Sequence, residues 1–288
     1  MKRFDQRVAV ITGGAGTFGE AMAARFAREG MRIVLADIAP EPLEAAAVRL
    51  RSAGATVVTV PTDVSNASSV EQLAARALEH FGAVHLVANN AGVATLGTLW
   101  ESTAADWQWA LGVNLMGVAH GVRVFAPILM RQNDEGHIVN TASVAGLISP
   151  PGMGIYNVTK HAVVTLTETL HHELALTGTA VRCSVVCPAY FSSGISQSER
   201  TRPRDLANPR SPSANQLKLQ ETLNKAVSSG RITAIDIAEL VFAAVRDERF
   251  YVLSHPRIKG AIRARFEDIL AESLPRDPLG PLAPPPTS

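Results

Sequence analysis

The chain is poor in cysteine, in net charge and in long apolar runs, and each shortage removes a class of protein. Its 288 residues include two cysteines, Cys183 and Cys187. On the strand expected over 180–187 they share a face but stand about 13 Å apart at ~3.3 Å per residue. A disulfide needs Cα atoms within about 7 Å, so both are read as buried, inert thiols of a reducing compartment. Two thiols make no metal site, and no metal is expected. The formal charge of +1 supplies no long-range field toward nucleic acid or an anionic membrane, and neither is expected as a partner. The basic start MKRFDQRVAVITGG has too short an apolar run for a leader peptide. No stretch approaches the ~18 apolar residues of a spanning helix. The expectation is a soluble, cytoplasmic protein.

What is present is core-forming material: 47% of residues are hydrophobic and 18% charged, enough for one large domain. Short β-branched runs at 8–12, 32–36, 56–60 and 84–88 alternate with Ala-rich amphipathic stretches closed by Gly30, Gly54 and Gly82 at helix C-terminal positions. The runs are continuously apolar, as parallel strands covered on both faces are. Helices near 103–132, 153–177 and 236–246, with strands at 136–141, 180–186 and 250–253, continue the rhythm. The fold class is therefore α/β: a Rossmann-type doubly wound sheet of about seven parallel strands with helices on both faces, in a single domain over 1–255.

Three segments depart from that rhythm. Residues 192–231 are polar and turn-rich, with a helix near 213–228, and are read as a substrate lid inserted in the domain. Seven basic residues stand there (Arg200, Arg202, Arg204, Arg210, Lys218, Lys225, Arg231) against Glu199, Asp205 and Glu221. The surplus reads more readily as a solvated, mobile face than as a seat for an anionic substrate. Residues 256–274 form an amphipathic helix, apolar at 258, 262, 266, 269 and 270. Residues 275–288 contain six prolines and are expected to be a disordered tail.

The chemistry starts where strand 8–12 runs into TGGAGTFG. Gly13, Gly16 and Gly19, with Thr17 and Phe18, allow a tight turn and a helix N-terminus that can hold a pyrophosphate. Tight helix–strand packing is the plainer use of such glycines; the position after the first strand of a βαβ series favours the dinucleotide. Asp37 ends the second strand, where a carboxylate accepts hydrogen bonds from ribose hydroxyls and repels a 2′-phosphate. Gly16, Thr17 and Ile38 bring no positive charge, so NAD is favoured over NADP. Asp63, Asn89–Gly92, Ser143 and Pro188 then follow strands three to six at the edge where open parallel sheets bind ligands.

Tyr156 and Lys160 open the next helix at i, i+4, on one face. A free phenol has a pKa near 10. A neighbouring ammonium is expected to lower it, making Tyr156 a base for an alcohol or an acid for a ketone. Most Tyr-x-x-x-Lys pairs are ordinary helix surface, but Ser143 lies thirteen residues earlier, where a strand–loop–helix return brings its hydroxyl beside the phenol.

These residues resemble the short-chain dehydrogenase/reductase family over about residues 5–255. The resemblance rests on the turn at 12–19, Asp63, Asn89-Asn90-Ala91-Gly92, Asn114, Ser143, Tyr156, Lys160 and Pro188. It implies an NAD(P)-dependent oxidoreductase in which Asn114 joins Ser143, Tyr156 and Lys160 and holds a water that links Lys160 to solvent. It further implies that Lys160 binds the nicotinamide ribose and that Asp63, Val64, Asn90, Ala91 and Gly92 line the cofactor. Thr17 stands where family members of this length have glycine. Pro188-Ala189 replaces their Pro-Gly, with Ser193 in place of a threonine that holds the carboxamide. Ala94, Leu96, Leu147, Ile148, Met153 and Tyr190 surround the catalytic group, so a small-molecule substrate, a bulky hydrophobic or aromatic secondary alcohol or ketone, is expected. The substrate itself would touch Ala94, Leu96, Ser143, Met153, Tyr156 and Tyr190. A homotetramer or homodimer on helices 103–132 and 153–177 is implied by the family. The alternatives are a cofactor-retaining epimerase or lyase, and a catalytically silent NAD-binding regulator, although the latter would be expected to have lost a catalytic residue.

Overall fold

Alternate residues of each central strand enter opposite cores, which is why the strands read as unbroken apolar runs. In β1 (Val8–Thr12), Ala9 and Ile11 join one core while Val8 and Val10 join the other; Ile33, Leu35 and Val34, Ala36 divide likewise in β2 (Arg32–Asp37). The computed structural model describes residues 1–208 and 211–280. The remaining strands are β3 (Val57–Pro61), β4 (Leu86–Asn89), β5 (Gly136–Thr141), β6 (Val181–Cys187) and β7 (Tyr251–Leu253). They form one parallel sheet in the order β3-β2-β1-β4-β5-β6-β7. The order reverses at β1/β4, which makes the crevice at their carboxyl ends the switch point where ligands bind.

Helices α1 (Thr17–Ala27), α2 (Pro40–Ser52) and α8 (Ala234–Asp247) cover one face. Helices α3 (Ala67–Phe81), α5 (Gly117–Arg131) and α6 (Gly154–Leu176) cover the other. Gly30, Gly54 and Gly82 all take positive φ just past α1, α2 and α3, the left-handed stop that a Cβ would oppose. Cys183 and Cys187 are buried and unpaired, and burial pushes both thiols up to about 12.

The expected helix 103–132 is present as one run, Ala104–Arg131, with an irregular middle. It consists of α4 (Ala104–Ala110), a wider π turn over Leu111–Met116, and α5. As a single run, Ala104–Arg131 is long and apolar enough to cross a membrane, against the expectation that no stretch would be. In the fold it lies on the sheet, with Phe125 and Leu129 fully buried in the core shared with α3.

The segment 192–231 carries two 3-10 turns and α7 (Ala214–Ser228), and it is docked rather than free. Ser213 and Asn215 donate to Glu101 at 3.0 and 3.2 Å, and Asn208 donates to Asp106 at 2.8 Å. Helix α9 (Ile258–Leu270) is shorter than the expected 256–274. The first six residues of the expected tail run back along it: Arg276 donates to Asp268 at 2.7 Å and to Glu267 at 3.1 Å. Residues 281–288 of that tail lie outside the described residues.

Candidate active site

Gly13 turns the chain at the end of β1 with φ +65°, and a Cβ there would come within 2.9 Å of the Ala91 backbone. The two central loops are thereby pressed together, and Gly16 is delivered to the N-terminus of α1. No side chain caps the first N–H groups of α1, and Gly16 at its N-cap borders the cleft at the carboxyl ends of the strands. The helix's outward-facing donors and positive dipole end remain available to phosphate oxygens. Asp37 braces the turn: its carboxylate accepts from Ala15 N at 3.0 Å and from Ala39 N at 3.1 Å. A carboxylate has about four acceptor positions, so capacity remains for ribose hydroxyls. Asp63 is similarly fixed by the Ser65 amide and hydroxyl at 2.9 and 2.7 Å.

Asn90 borders the cleft and also holds the loops around it together. Its amide donates to Thr12 O at 3.0 Å, and its oxygen accepts from Thr141 Oγ1 at 3.3 Å. The side chain ties the ends of β1, β4 and β5 together at the switch point.

All these loops line one cleft of about 1120 Å³, a size that accommodates a dinucleotide together with a further molecule. Gly13, Gly16, Thr17, Phe18, Gly19, Asp37, Ile38, Asp63, Val64, Asn90, Ala91, Gly92, Pro188 and Ser193 all border it. So do Ser143, Tyr156, Lys160, Ala94, Ile148, Met153 and Tyr190. Leu96 does not. It borders a separate small cavity beside Ile155, and the chain next to it pairs through a bridge between Gly97 and Met153. The cleft's apolar wall instead includes Trp109, Leu206, Leu223, Val227, Ile258 and Leu279, from α4, the lid and the C-terminal segment. Nothing local in the sequence marks those six, since long-range docking places them.

Ser143 follows β5 in extended conformation and starts a 3-10 turn over Val144–Gly146, which packs against α6. Its hydroxyl accepts from Ala145 N at 3.2 Å and donates to Pro188 O at 3.3 Å. Tyr156 is 9% exposed and Lys160 2% exposed, one turn apart on α6. The Lys160 ammonium donates to Thr141 O at 2.9 Å and lies 5.6 Å from the centre of the Tyr156 ring. Both side chains are thus largely removed from water.

That placement corrects the expected electrostatics. Burial pushes Tyr156 up to about 12; the Ser143 hydroxyl opposes the shift, while Tyr190 and Cys187 reinforce it. The lowering expected from the neighbouring ammonium is outweighed by the loss of water around the phenol. Lys160 itself is brought down to about 8 by burial, weakly opposed by the nearby Cys187 thiol. The pair is therefore held in its neutral-phenol form by the protein alone.

Asn114 lies fully buried in the π turn, a wider backbone turn common at functional sites. Its oxygen accepts from Val93 N at 2.8 Å, and its amide donates to Val93 O at 2.9 Å and Thr159 Oγ1 at 3.1 Å. Thr159 donates to Tyr156 O at 2.8 Å, so Asn114 connects the strand-four loop to the backbone of the reactive helix. Sequence reading passed over Thr159, although it stands between Tyr156 and Lys160. A Cβ on Gly92 would lie 3.4 Å from the Asn114 oxygen and 3.5 Å from the Lys160 ammonium. The missing side chain leaves space between the Lys160 ammonium, which borders the cleft, and the fully buried Asn114 behind it.

A family model described as short chain dehydrogenase matches residues 7–204. A CLA biosynthesis dehydrogenase/reductase of Lactiplantibacillus plantarum is 34% identical over 279 residues, covering 96% of this chain and 97% of that protein. A 1-deoxy-11-beta-hydroxypentalenate dehydrogenase of Streptomyces exfoliatus is 32% identical over 267 residues, covering 91% and 88%. Among solved structures, a short chain dehydrogenase/reductase from Burkholderia phymatum in complex with NAD superposes with a TM-score of 0.96. It is 54% identical, with 97% of this chain and 100% of that one covered.

Proposed function

The chain belongs to the short-chain dehydrogenase/reductase family, oxidoreductases of alcohols and ketones, and from that premise we propose a narrower activity. It interconverts a secondary alcohol and its ketone on a bulky hydrophobic or aromatic molecule, using NAD. The observation that carries this reading is the convergence of Ser143, Tyr156 and Lys160 on a cleft whose remaining wall is largely apolar.

NAD, when bound, supplies the hydride acceptor for oxidation. The uncapped N-terminus of α1 holds its phosphates, and Asp37 accepts from the adenosine ribose hydroxyls. The likeness to a protein solved with NAD supports the cofactor. The carboxylate of Asp37 and the absence of a basic residue at Gly16, Thr17 and Ile38 support NAD over NADP. Asp63, Val64 and Ala91 border the adenosine side, and Pro188 and Ser193 the nicotinamide side.

Ser143 turns its hydroxyl from Pro188 O to the substrate oxygen and fixes it beside the phenol. Tyr156 then removes the hydroxyl proton in oxidation or returns it in reduction. Lys160 binds the nicotinamide ribose and, while protonated, stabilises the phenolate. A water held against Asn114 in the space left by Gly92 passes the proton from Lys160 to solvent. Ala94, Met153, Tyr190 and Trp109 exclude water and orient the apolar body of the substrate.

The exposed Met116, Val158 and Leu176 on the π turn and α6 support a homotetramer or homodimer built on those helices. The activity is tested by NADH absorbance across a panel of aryl, alicyclic and small polar alcohols and ketones. Net cofactor turnover with the apolar members is expected. Turnover confined to small polar sugars contradicts the substrate class, and product without net cofactor change indicates an epimerase or lyase.

A further inference from the structure

Arg200 is the only basic residue of the lid, among those described, that lines the cleft. Its neighbours explain why it has no counter-charge. Glu199 gives its two carboxylate oxygens to Arg202 at 2.7 and 2.9 Å. Arg202 is buried, bonded to Asp106 at 2.6 Å and to Leu206 O at 3.1 Å, and stacked 4.2 Å from the Trp109 ring centre. This latch fixes residues 199–208 on α4 and engages both neighbouring carboxylates. Lys225, elsewhere in the lid, pairs with Glu221. Arg200 is left with one weak partner, Gln197 at 3.4 Å. Its guanidinium lies over Gly194, where a Cβ would come within 2.9 Å of the terminal nitrogen.

Among the described residues, the rest of the cleft offers no other unengaged side-chain cation. Its other charged lining residues are Asp37, Glu41, Asp63 and Lys160, and Lys160 is turned to Thr141 O. The glycine-rich turn contributes no side-chain cation. The lid starts beside that turn, with Phe191 packed on Phe18 at 5.6 Å between ring centres.

We propose that Arg200 is the anion-recognition residue of the cleft, presented by the Arg202–Asp106 latch to bind an anionic oxygen group of the ligand. The proposal rests on the oxidoreductase reading above. Two parts of the ternary complex carry oxygens that match the planar guanidinium fork: the dinucleotide pyrophosphate, and a carboxylate on the alcohol substrate. The site serves one of them.

The test uses the full chain with Arg200→Gln, and Arg204→Gln as a lid charge outside the cleft. Two quantities are read: the NADH dissociation constant by fluorescence, and the KM ratio for a secondary alcohol bearing a carboxylate against its methyl ester. Loss of a charged hydrogen bond is expected to change one of them about tenfold. A weaker NADH complex with an unchanged acid/ester ratio assigns Arg200 to the pyrophosphate. A lost preference for the acid with unchanged NADH binding assigns it to the substrate. Less than a twofold change in both overturns the proposal, as does an equal change in Arg204→Gln, which would reflect net charge alone. A wild-type protein that binds no NADH overturns the oxidoreductase reading, and this inference with it.

Discussion

Replacing Lys160 with methionine should make the protein more stable and inactive. The ammonium is buried without a carboxylate partner and titrates at about 8 instead of 10.5. Below pH 8 both the folded and unfolded chains carry the proton, and the full penalty of burial applies. At 1.36 kcal/mol per pH unit this is roughly 3 kcal/mol. Between pH 8 and 10.5 the unfolded chain keeps the proton and the folded chain does not, so stability rises with pH through that window. Methionine has a similar unbranched reach but no charge. It also abandons the hydrogen bond to Thr141 O, a loss of about 1 kcal/mol. The net gain at pH 7 is about 2 kcal/mol, or roughly 4–8 °C in melting temperature for a chain of this size. The assay is urea unfolding of wild type and Lys160→Met at several pH values, where all other titrations cancel in the difference. The variant's lead should shrink from pH 8 upward, vanish between about pH 9.5 and 10, and reverse by about 1 kcal/mol above pH 10.5, where only the lost hydrogen bond remains. A variant less stable at pH 7, or a gap that does not vary with pH, would refute the buried, unpaired ammonium.

Other consequences concern the cofactor, pH and the cleft wall. Asp37→Ser with Ile38→Arg removes the repelling carboxylate and adds a phosphate partner. The ratio of kcat/KM with NADP to that with NAD should rise at least about 100-fold, roughly 3 kcal/mol; an unchanged ratio contradicts the role given to Asp37. For ketone reduction, kcat/KM should fall with an apparent pKa near 8, where Lys160 loses its proton, since Tyr156 stays protonated to about 12. Lys160→Arg keeps its charge and should move that fall above about pH 10; the same limb in both proteins would assign it to another group. Leu279→Glu should raise KM for a bulky apolar alcohol several-fold, about 1 kcal/mol for a charge set into an apolar wall. An equal rise for NADH would instead indicate that the C-terminal segment borders the cofactor.

The sheet was legible because its signal is local. Each strand is a short β-branched run, each of the first three helices ends at a glycine with positive φ, and Asp37, Asp63, Ser143 and Pro188 follow strands directly. The π turn within the helix 104–131 and the docked loops were not legible, because distant partners set them. Asn114 sits in a π turn and bonds Val93, 21 residues away; an Ala-rich amphipathic pattern carries no sign of that. The lid looked mobile because its charges were counted within 192–231, whereas Arg202 pairs with Asp106, 96 residues earlier. Leu96 was expected around the catalytic group, but its side of the loop borders a separate small cavity with Ile155, a placement set by tertiary packing. Tyr156 and Lys160 were recognisable by spacing, but the direction of the phenol's shift depended on burial, which spacing does not report.

The central claim is that Tyr156 moves the proton while other residues hold the cofactor. Steady-state oxidation of a hydrophobic secondary alcohol by wild type and Tyr156→Phe, with NADH binding measured on both, tests it most directly. Wild type should turn over NAD, and the variant should lose 10²- to 10⁴-fold in kcat while binding NADH as tightly. A variant that retains its rate, or loses NADH binding in the same proportion, would contradict the account.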